Sequence, residues 1–310
     1  MKNYPSAPTA AASSTGATTR TSGLPPSPSR PKAGAFIWLL AAVALGPGLL
    51  NADSSPPLEA APFEAVPLEV APLEATPPGA DLARALVSLL GQPFRVDGAQ
   101  DEEGRWVSFE RPDQVSPDPG FNCSGFAVAA ARLLLDRPIS LAGAAHDRRG
   151  DSGPDAPLGR DWDFGLDLIL NLAEGRFVRA LPDIDFESPP LEPLSPGRAL
   201  GWGTNLHGRE FEDLLDQIRP GNFAFFCFSR PDGRFPAGVS YYHVGLIVPE
   251  TPHIWLYHST RGLGTHRVDL AAPAQLTRFH RHFPPPARGE RRIFMVEIAP
   301  PGLDPGSEAR

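Results

Sequence analysis

Proline recurs at every fifth position through residues 57–76, and this spacing divides the chain into two parts. Four pentapeptides follow one another there, beginning with Pro57-Leu58-Glu59-Ala60-Ala61 and continuing as PFEAV, PLEVA and PLEAT. Because proline has no backbone N–H and clashes with the preceding helical turn, the repeat forbids a continuous helix. The segment should be extended, at up to about 3.1 Å per residue. We therefore expect residues 53–79 to be a linker, whether it spaces a domain from a membrane or has no role of its own.

The chain in front of this linker has the composition of a non-globular segment. Of the 38 prolines, 14 precede residue 80, and residues 1–33 are otherwise rich in Ser, Thr and Ala. Such a sequence buries too little apolar surface to fold, so residues 1–33 are predicted to be disordered. An uncharged apolar run then extends from Ala35 to Leu50. As a helix it would span roughly 24 Å, which is less than the bilayer core of about 30 Å.

The flanks of the apolar run indicate export. Arg30 and Lys32 precede it and Asp53 follows it. We interpret residues 34–52 as a secretory signal or as a retained N-terminal membrane anchor. The alternative is a buried helix of a soluble protein, but the neighbouring segments offer that helix nothing to pack against. The expected location is the periplasm, the cell envelope or the extracellular space.

Charge and cysteine content exclude several classes of function. The net charge is −8 and no segment is dominated by Lys and Arg, so no nucleic-acid partner is expected. The two cysteines, Cys123 and Cys227, are too few for a disulfide scaffold or a Cys-rich zinc site. His280-x-His282 has no third ligand at a useful spacing, so we expect neither a metal nor another cofactor. No protein partner is evident. A single disulfide between the two cysteines stays open for an exported chain, although a buried free Cys227 is the simpler account.

Residues 80–300 have the pattern of one globular domain, followed by a disordered tail at 301–310. Apolar residues at helical spacing predict helices over Asp81–Leu90, from about Cys123 to Asp136, over Trp162–Ala173 and over Phe211–Ile218. Short apolar runs predict strands at Phe223–Phe228, Tyr242–Val248, Ile254–His258, Thr265–Val268 and Ile293–Ile298. Helices first and strands afterwards are typical of an α+β domain with an antiparallel sheet.

Cys123 is the candidate nucleophile because it begins a predicted helix. Asn122 directly before it is a good N-cap, and the free N–H groups of a helix N-terminus stabilise a thiolate. A nucleophile needs a base, and His243 opens a strand in Tyr-His-Val-Gly-Leu-Ile-Val. His258 ends the next predicted strand. If the two strands are antiparallel neighbours, His258 can orient His243 as the third member of a triad. The remaining six histidines are expected to be surface or loop groups: His146, His207, His253, His266, His280 and His282.

Five motifs in order resemble those of the NlpC-type family of papain-like cell-wall peptidases. They are Leu-Gly-Gln-Pro-Phe at 90–94, Asn-Cys-Ser-Gly-Phe at 122–126, Pro-Gly-Asn-Phe-Ala-Phe-Phe at 220–226, His-Val-Gly-Leu at 243–246 and Tyr-His-Ser at 257–259. The resemblance covers residues 81–298 with a large gap. It implies a papain-like fold, with N-terminal helices packed on an antiparallel sheet. It also implies hydrolysis of an amide in peptidoglycan stem peptides, commonly the bond after D-γ-glutamate.

The resemblance implies a role for each matched residue. Cys123 would attack the carbonyl and His243 would hold the thiolate as an ion pair, then protonate the leaving amine. His258 would orient the imidazole of His243, and the Cys123 N–H would contribute to the oxyanion site. Phe94, Asn122 and Ser124 would contact substrate.

Three departures separate this chain from the family pattern. Phe94 stands where the family has Tyr and Asn122 where it has Asp, and in the family these two bind the free amine of the stem peptide. Cys123 and His243 are 120 positions apart (243 − 123), about twice the family's usual separation. Residues 137–215 are therefore expected to be an insertion, either a wall beside the substrate or a decoration far from it.

Two other kinds of function fit the same residues. One is an amidase or acyltransferase of the same fold acting on another substrate, although the order Cys then His argues against the circularly permuted lipid acyltransferases. The other is a catalytically inactive module that binds the cell wall or a partner protein. The complete set of Cys, His and His favours an enzyme.

Overall fold

The computed structural model describes residues 79–148, 150–152, 161–183 and 202–302. The N-terminal disordered region, the apolar run 35–50 and nearly all of the linker and the tail therefore lie outside the described residues. Within the described ranges, no helix is long and apolar enough to cross a membrane.

The described chain contains six α-helices and nine strands. The helices are α1 (Ala80–Leu86), α2 (Cys123–Leu135), α3 (Leu141–Ala144), α4 (Phe164–Ala173), α5 (Arg209–Leu215) and α6 (Pro273–His282), with a 3₁₀ turn at Val87–Leu89 after α1. The strands are β1 (Gly98–Gln100), β2 (Trp106–Ser108), β3 (Phe177–Leu181), β4 (Thr204–Asn205), β5 (Phe223–Pro231), β6 (Val239–Glu250), β7 (His253–Thr260), β8 (Gly264–Asp269) and β9 (Arg292–Ile298).

An antiparallel sheet forms the centre of the fold. Its strand order is β3-β9-β5-β6-β7-β8, and the short β4 also pairs with β9. β1 and β2 form a separate antiparallel pair. The predicted α+β class with an antiparallel sheet is confirmed, and each predicted strand coincides with one of β5 to β9. The sequence missed β1–β4, α3 and α6, because these elements are short or, in α6, mostly polar.

Helices cover both faces of the sheet, and each face has its own apolar core. On one face Phe126 of α2 and Leu168 of α4 belong to the same core as Val244 and Leu246 of β6. On the other face Phe211 of α5 and Phe279 of α6 share a core with Ile247. Because successive side chains of a strand point to opposite faces, β6 contributes alternately to the two cores.

The expected insertion, residues 137–215, contributes to the central sheet. β3 pairs with β9, and α4 packs against β5, β6 and β9. Arg179 of β3 donates from Nε to Oε2 of Glu297 at 2.6 Å, and Glu297 is fully buried in β9. A buried carboxylate without such a partner is strongly unfavourable, so this ion pair ties the segment to the sheet.

The motif glycine after the nucleophile lets α2 approach the β1 backbone. A Cβ on Gly125 would collide with the carbonyl oxygen of Gly98 and lie 2.8 Å from Cα of Ala99. Asn122 N–H donates to the same Gly98 carbonyl at 2.9 Å. The N-terminus of α2, which carries Cys123, is thus fixed against β1.

Replacing this glycine tests the close approach. Gly125→Ala should lower the free energy of unfolding by about 1–3 kcal/mol through overpacking, although alanine is the better helix former by about 1 kcal/mol. Denaturant unfolding measures the difference. Gly233→Ala, whose Cβ meets nothing within 4 Å, is the matched control and should change little. A Gly125→Ala protein as stable as the parent contradicts the predicted collision.

Candidate active site

Two side-chain hydrogen bonds and a backbone bridge hold the loop that carries Cys123. The Asn122 side chain caps α2, with Oδ1 accepting from the Gly125 N–H at 2.6 Å. The Ser259 hydroxyl of β7 donates to the Phe121 carbonyl at 2.8 Å. Phe94, expected to contact substrate, is half-buried and its backbone forms a parallel bridge with Phe121. Ser259 of the Tyr-His-Ser motif therefore binds the nucleophile loop directly. The amide oxygen of Asn122 is used as the N-cap of α2.

The thiol of Cys123 is neutral in this arrangement. Burial raises its pKa, and this effect exceeds the lowering by the Val244 N–H, the Ser124 hydroxyl and the first N–H groups of α2. Ser124 is buried, and its Oγ lies 4.0 Å from Sγ. The thiolate expected from the helix N-terminus alone is thus opposed by desolvation. The same N–H groups would still stabilise a thiolate once a base removes the proton.

Three imidazoles form a hydrogen-bonded row on neighbouring strands. Nε2 of His243 lies 3.0 Å from Nδ1 of His258, and Nε2 of His258 lies 2.9 Å from Nε2 of His266. Nδ1 of His266 lies 3.0 Å from the carbonyl oxygen of Gly264. Sequence reasoning paired His243 with His258. It was wrong to expect His266 to be a surface or loop group, because His266 is a half-buried strand residue of β8 opposite His258.

The Gly264 carbonyl fixes the proton on every ring of this row. A carbonyl only accepts, so Nδ1 of His266 carries a proton and its Nε2 is an acceptor when the ring is neutral. His258 must then donate from Nε2, which leaves its Nδ1 as an acceptor for Nε2–H of His243. By elimination, Nδ1 of a neutral His243 bears a lone pair. That atom has the character of a base.

All three rings are held neutral by their surroundings. Burial is the main cause that lowers the pKa of His243 from 6.5 to about 3, and the positive charge of Arg291 adds to it. Burial lowers the pKa of His258 well below its usual value and also lowers the pKa of His266. Both shifts oppose the ion pair of thiolate and imidazolium that the family resemblance implies and favour a neutral thiol and a neutral imidazole.

Cys123 and the imidazole row pack against different cores. The His243 ring lies 5.4 Å from the ring of Phe228 and 5.1 Å from that of Phe283, both in the core beneath α5 and α6. Cys123 packs against the other core and meets the Val244 N–H. No hydrogen bond joins Sγ to His243. The structure brings His243 and His258 together and places the thiol at the backbone of β6.

The other sulfur and metal hypotheses have plain outcomes. Both cysteines are free, and Cys227 is fully buried in β5, so the alternative of one structural disulfide is wrong. In the part of the chain that the structure describes, no three His, Cys, Asp or Glu side chains are grouped to hold a metal ion.

The buried neutral histidines should make the protein sensitive to acid. Between pH 6.5 and about 3, His243 is protonated in the unfolded chain but neutral in the folded protein. The free energy of unfolding should therefore fall as pH falls, by up to about 1.4 kcal/mol per pH unit for each such histidine. Denaturant midpoints measured from pH 8 to pH 4 test this.

A variant at the centre of the row gives the sharper comparison. His258→Gln keeps an acceptor and a donor but removes one titrating ring, so its stability should depend less steeply on pH. His146→Gln, at an exposed position, is the control and should keep the parent slope. A parent stability that is flat from pH 7 to pH 4 contradicts the neutral buried row.

Comparison of the whole chain with protein-family models, with curated proteins and with solved structures found no match.

Proposed function

We propose that the protein is a cysteine hydrolase that cleaves an amide bond in peptidoglycan stem peptides, using Cys123, His243 and His258 on a papain-like domain of the NlpC type. The observation that carries the proposal is the imidazole row, which leaves Nδ1 of His243 free to act as a base. His243 directly precedes Val244, whose backbone N–H meets the Cys123 thiol. The five motifs in family order support the substrate class.

In the first step the substrate carbonyl lies over the N-terminus of α2. Sγ of Cys123 attacks the carbonyl carbon while its proton passes to Nδ1 of His243, because both groups start neutral. The carbonyl oxygen becomes an oxyanion that accepts from the Cys123 N–H. Hydrogen bonds between nucleophile and base are often looser in free enzymes than in their complexes, and substrate would have to bring the two together here.

In the second step the proton on Nδ1 of His243 passes to the leaving amine, and a thioester to Cys123 remains. Water then gives a proton to Nδ1 and attacks the thioester carbon, the C–S bond breaks to release the acid, and the proton on Nδ1 returns to Sγ to restore the thiol. Throughout, Nε2–H of His243 donates to His258, so the ring keeps its orientation while its charge changes.

The N-terminal segments would determine where the enzyme acts. Residues 34–52 would direct export as a signal or an anchor, and residues 53–79 would separate the hydrolase from the membrane. The enzyme would then meet its substrate in the cell envelope or outside the cell.

Digestion of purified peptidoglycan tests the activity. The full chain should release new fragments whose masses identify the bond cleaved, and Cys123→Ala should reduce the rate by at least about a thousandfold. Cys227→Ala removes the other thiol and should stay active. If the parent and Cys123→Ala both leave the wall intact under conditions where the parent is folded, peptidoglycan hydrolysis is wrong.

An inactive wall-binding module is the second candidate, and one observation favours it. Sγ of Cys123 has no hydrogen bond to His243, and both groups are neutral. Such a module predicts that the parent and Cys123→Ala sediment with peptidoglycan equally and that neither cleaves it. Turnover of a different amide, with no action on the wall, would indicate an amidase or acyltransferase of the same fold.

His266 should act as a positioning residue for the base. Without an acceptor at this position, His258 can turn its Nδ1–H toward His243 and so move the His243 proton to Nδ1. His266→Phe should therefore lower kcat between about tenfold and 10⁴-fold with little change in KM. His266→Gln offers a carbonyl oxygen to His258 and should restore much of the rate. Equal losses in both variants would mean that the residue only fills space.

A further inference from the structure

A β-bulge places Tyr242 beside His243. Phe228 pairs with His243 and Ser229 pairs with Tyr241, so Tyr242 is the extra residue of β6. Bulges turn a side chain from the face that strand alternation gives it and are frequent beside active sites. The Tyr242 ring packs against the core beneath α5 and α6, on the same side as the His243 ring, with the two centroids 6.5 Å apart.

Two arginines stack on this tyrosine. The guanidinium carbon of Arg230, from β5, lies 4.5 Å from the centre of the Tyr242 ring. The guanidinium carbon of Arg291, which directly precedes β9, lies 5.7 Å from the same centre and 5.6 Å from that of Phe283. Three adjacent strands thus bring two positive charges to one aromatic ring.

Among the described residues, Arg291 is a buried cation without an ion-pair partner. It is only 8% exposed, and its Nε and Nη1 are buried with no hydrogen-bond partner. Arg291 lies close enough to the Tyr242 hydroxyl to favour its ionised form, although this hydroxyl is also buried and makes no hydrogen bond of normal geometry to a described residue. Burial is the main cause that lowers the pKa of Arg291; the Tyr242 hydroxyl opposes this effect and the charge of Arg230 adds to it. Unfilled donors at such a position are costly, which favours an anionic ligand.

These groups adjoin the candidate active site. The Phe283 ring centre lies 5.1 Å from that of His243 and 5.6 Å from the guanidinium carbon of Arg291, and the Tyr242 and His243 ring centres lie 6.5 Å apart. An anion held by the two arginines would therefore lie beside the His243 imidazole.

We propose that Arg291, Arg230 and Tyr242 bind a carboxylate of the substrate, an inference that rests on the proposed hydrolase function. Planar guanidinium groups and a phenol hydroxyl match the donor geometry that a carboxylate requires. A γ-linked glutamyl residue keeps its α-carboxylate free, next to the chain that ends in the scissile amide. The site thus selects stem peptides with a free glutamyl carboxylate over those in which it is an amide.

Calorimetric titration of the full chain carrying Cys123→Ala tests binding without turnover. The two ligands are alanyl-γ-D-glutamyl-lysine and the same peptide with the glutamyl α-carboxylate converted to an amide. The free acid should bind about tenfold to a hundredfold more tightly, the usual worth of a hydrogen bond to a charged group. Arg291→Gln should remove this preference. Arg267→Gln, which removes a guanidinium stacked 4.0 Å from the Trp255 ring, is the control and should retain it.

Thermal midpoints measured with small anions distinguish a failure of this inference from a failure of the proposed function. If neither peptide binds but acetate raises the thermal midpoint of the parent and not of Arg291→Gln, the carboxylate site stands and the stem-peptide substrate falls. If phosphate stabilises the parent more than acetate does, the carboxylate assignment is overturned. The inference is also overturned if peptides and acetate affect the parent and Arg291→Gln alike.

Stability distinguishes a binding role from a structural one. Arg291→Met removes a buried charge without a partner and keeps much of the side-chain volume, so it should raise the thermal midpoint while abolishing the preference for the free acid. A lowered midpoint with the preference intact would assign Arg291 to the core and overturn the site.

Discussion

The alternation of side chains along β6 determines the arrangement of the candidate site. Val244 and Leu246 face the core beneath α2 and α4, so His243 must face the core beneath α5 and α6. The thiol of Cys123 packs on the side of Val244 and Leu246, where it meets the Val244 N–H. The bulge at Tyr242 then adds a second side chain to the His243 side. The thiol and the His243 ring therefore pack against different cores, and the structure shows no hydrogen bond between them.

The imidazole row and the arginines share one electrostatic environment. Burial lowers the pKa of His243, His258 and His266, and the positive charge of Arg291 adds to that effect on His243. A neutral row has a single pattern of donors, set by the Gly264 carbonyl, so it presents a lone pair on His243 without a carboxylate partner. The buried neutral row defines the tautomer of the base, and it also makes the folded protein less stable in acid.

The sequence predicted the parts of this site that depend on local pattern. Cys123 at a helix start, Asn122 as its cap and His243 with His258 on adjacent strands all follow from spacing and residue type. The position of His266 could also have been predicted from the sequence. Residues 258 and 266 are equally far along the chain from Gly262, in the turn between β7 and β8, so a hairpin pairs them. The contacts of Tyr242 could not be predicted from the sequence. Arg230 and Arg291 come together through the β9-β5-β6 strand order and through a bulge that has no local sequence pattern.

The two proposals become coupled if the carboxylate binds where the arginines stack. Burial is the main cause of the low pKa of His243, and the charge of Arg291 adds to it. A carboxylate on Arg291 would offset that charge, and the pKa of His243 would rise toward the range in which it can take a proton from Cys123. A substrate without the carboxylate would leave the base weaker. Discrimination would then be expressed in the chemical step as well as in binding, because the group that is recognised also activates the base.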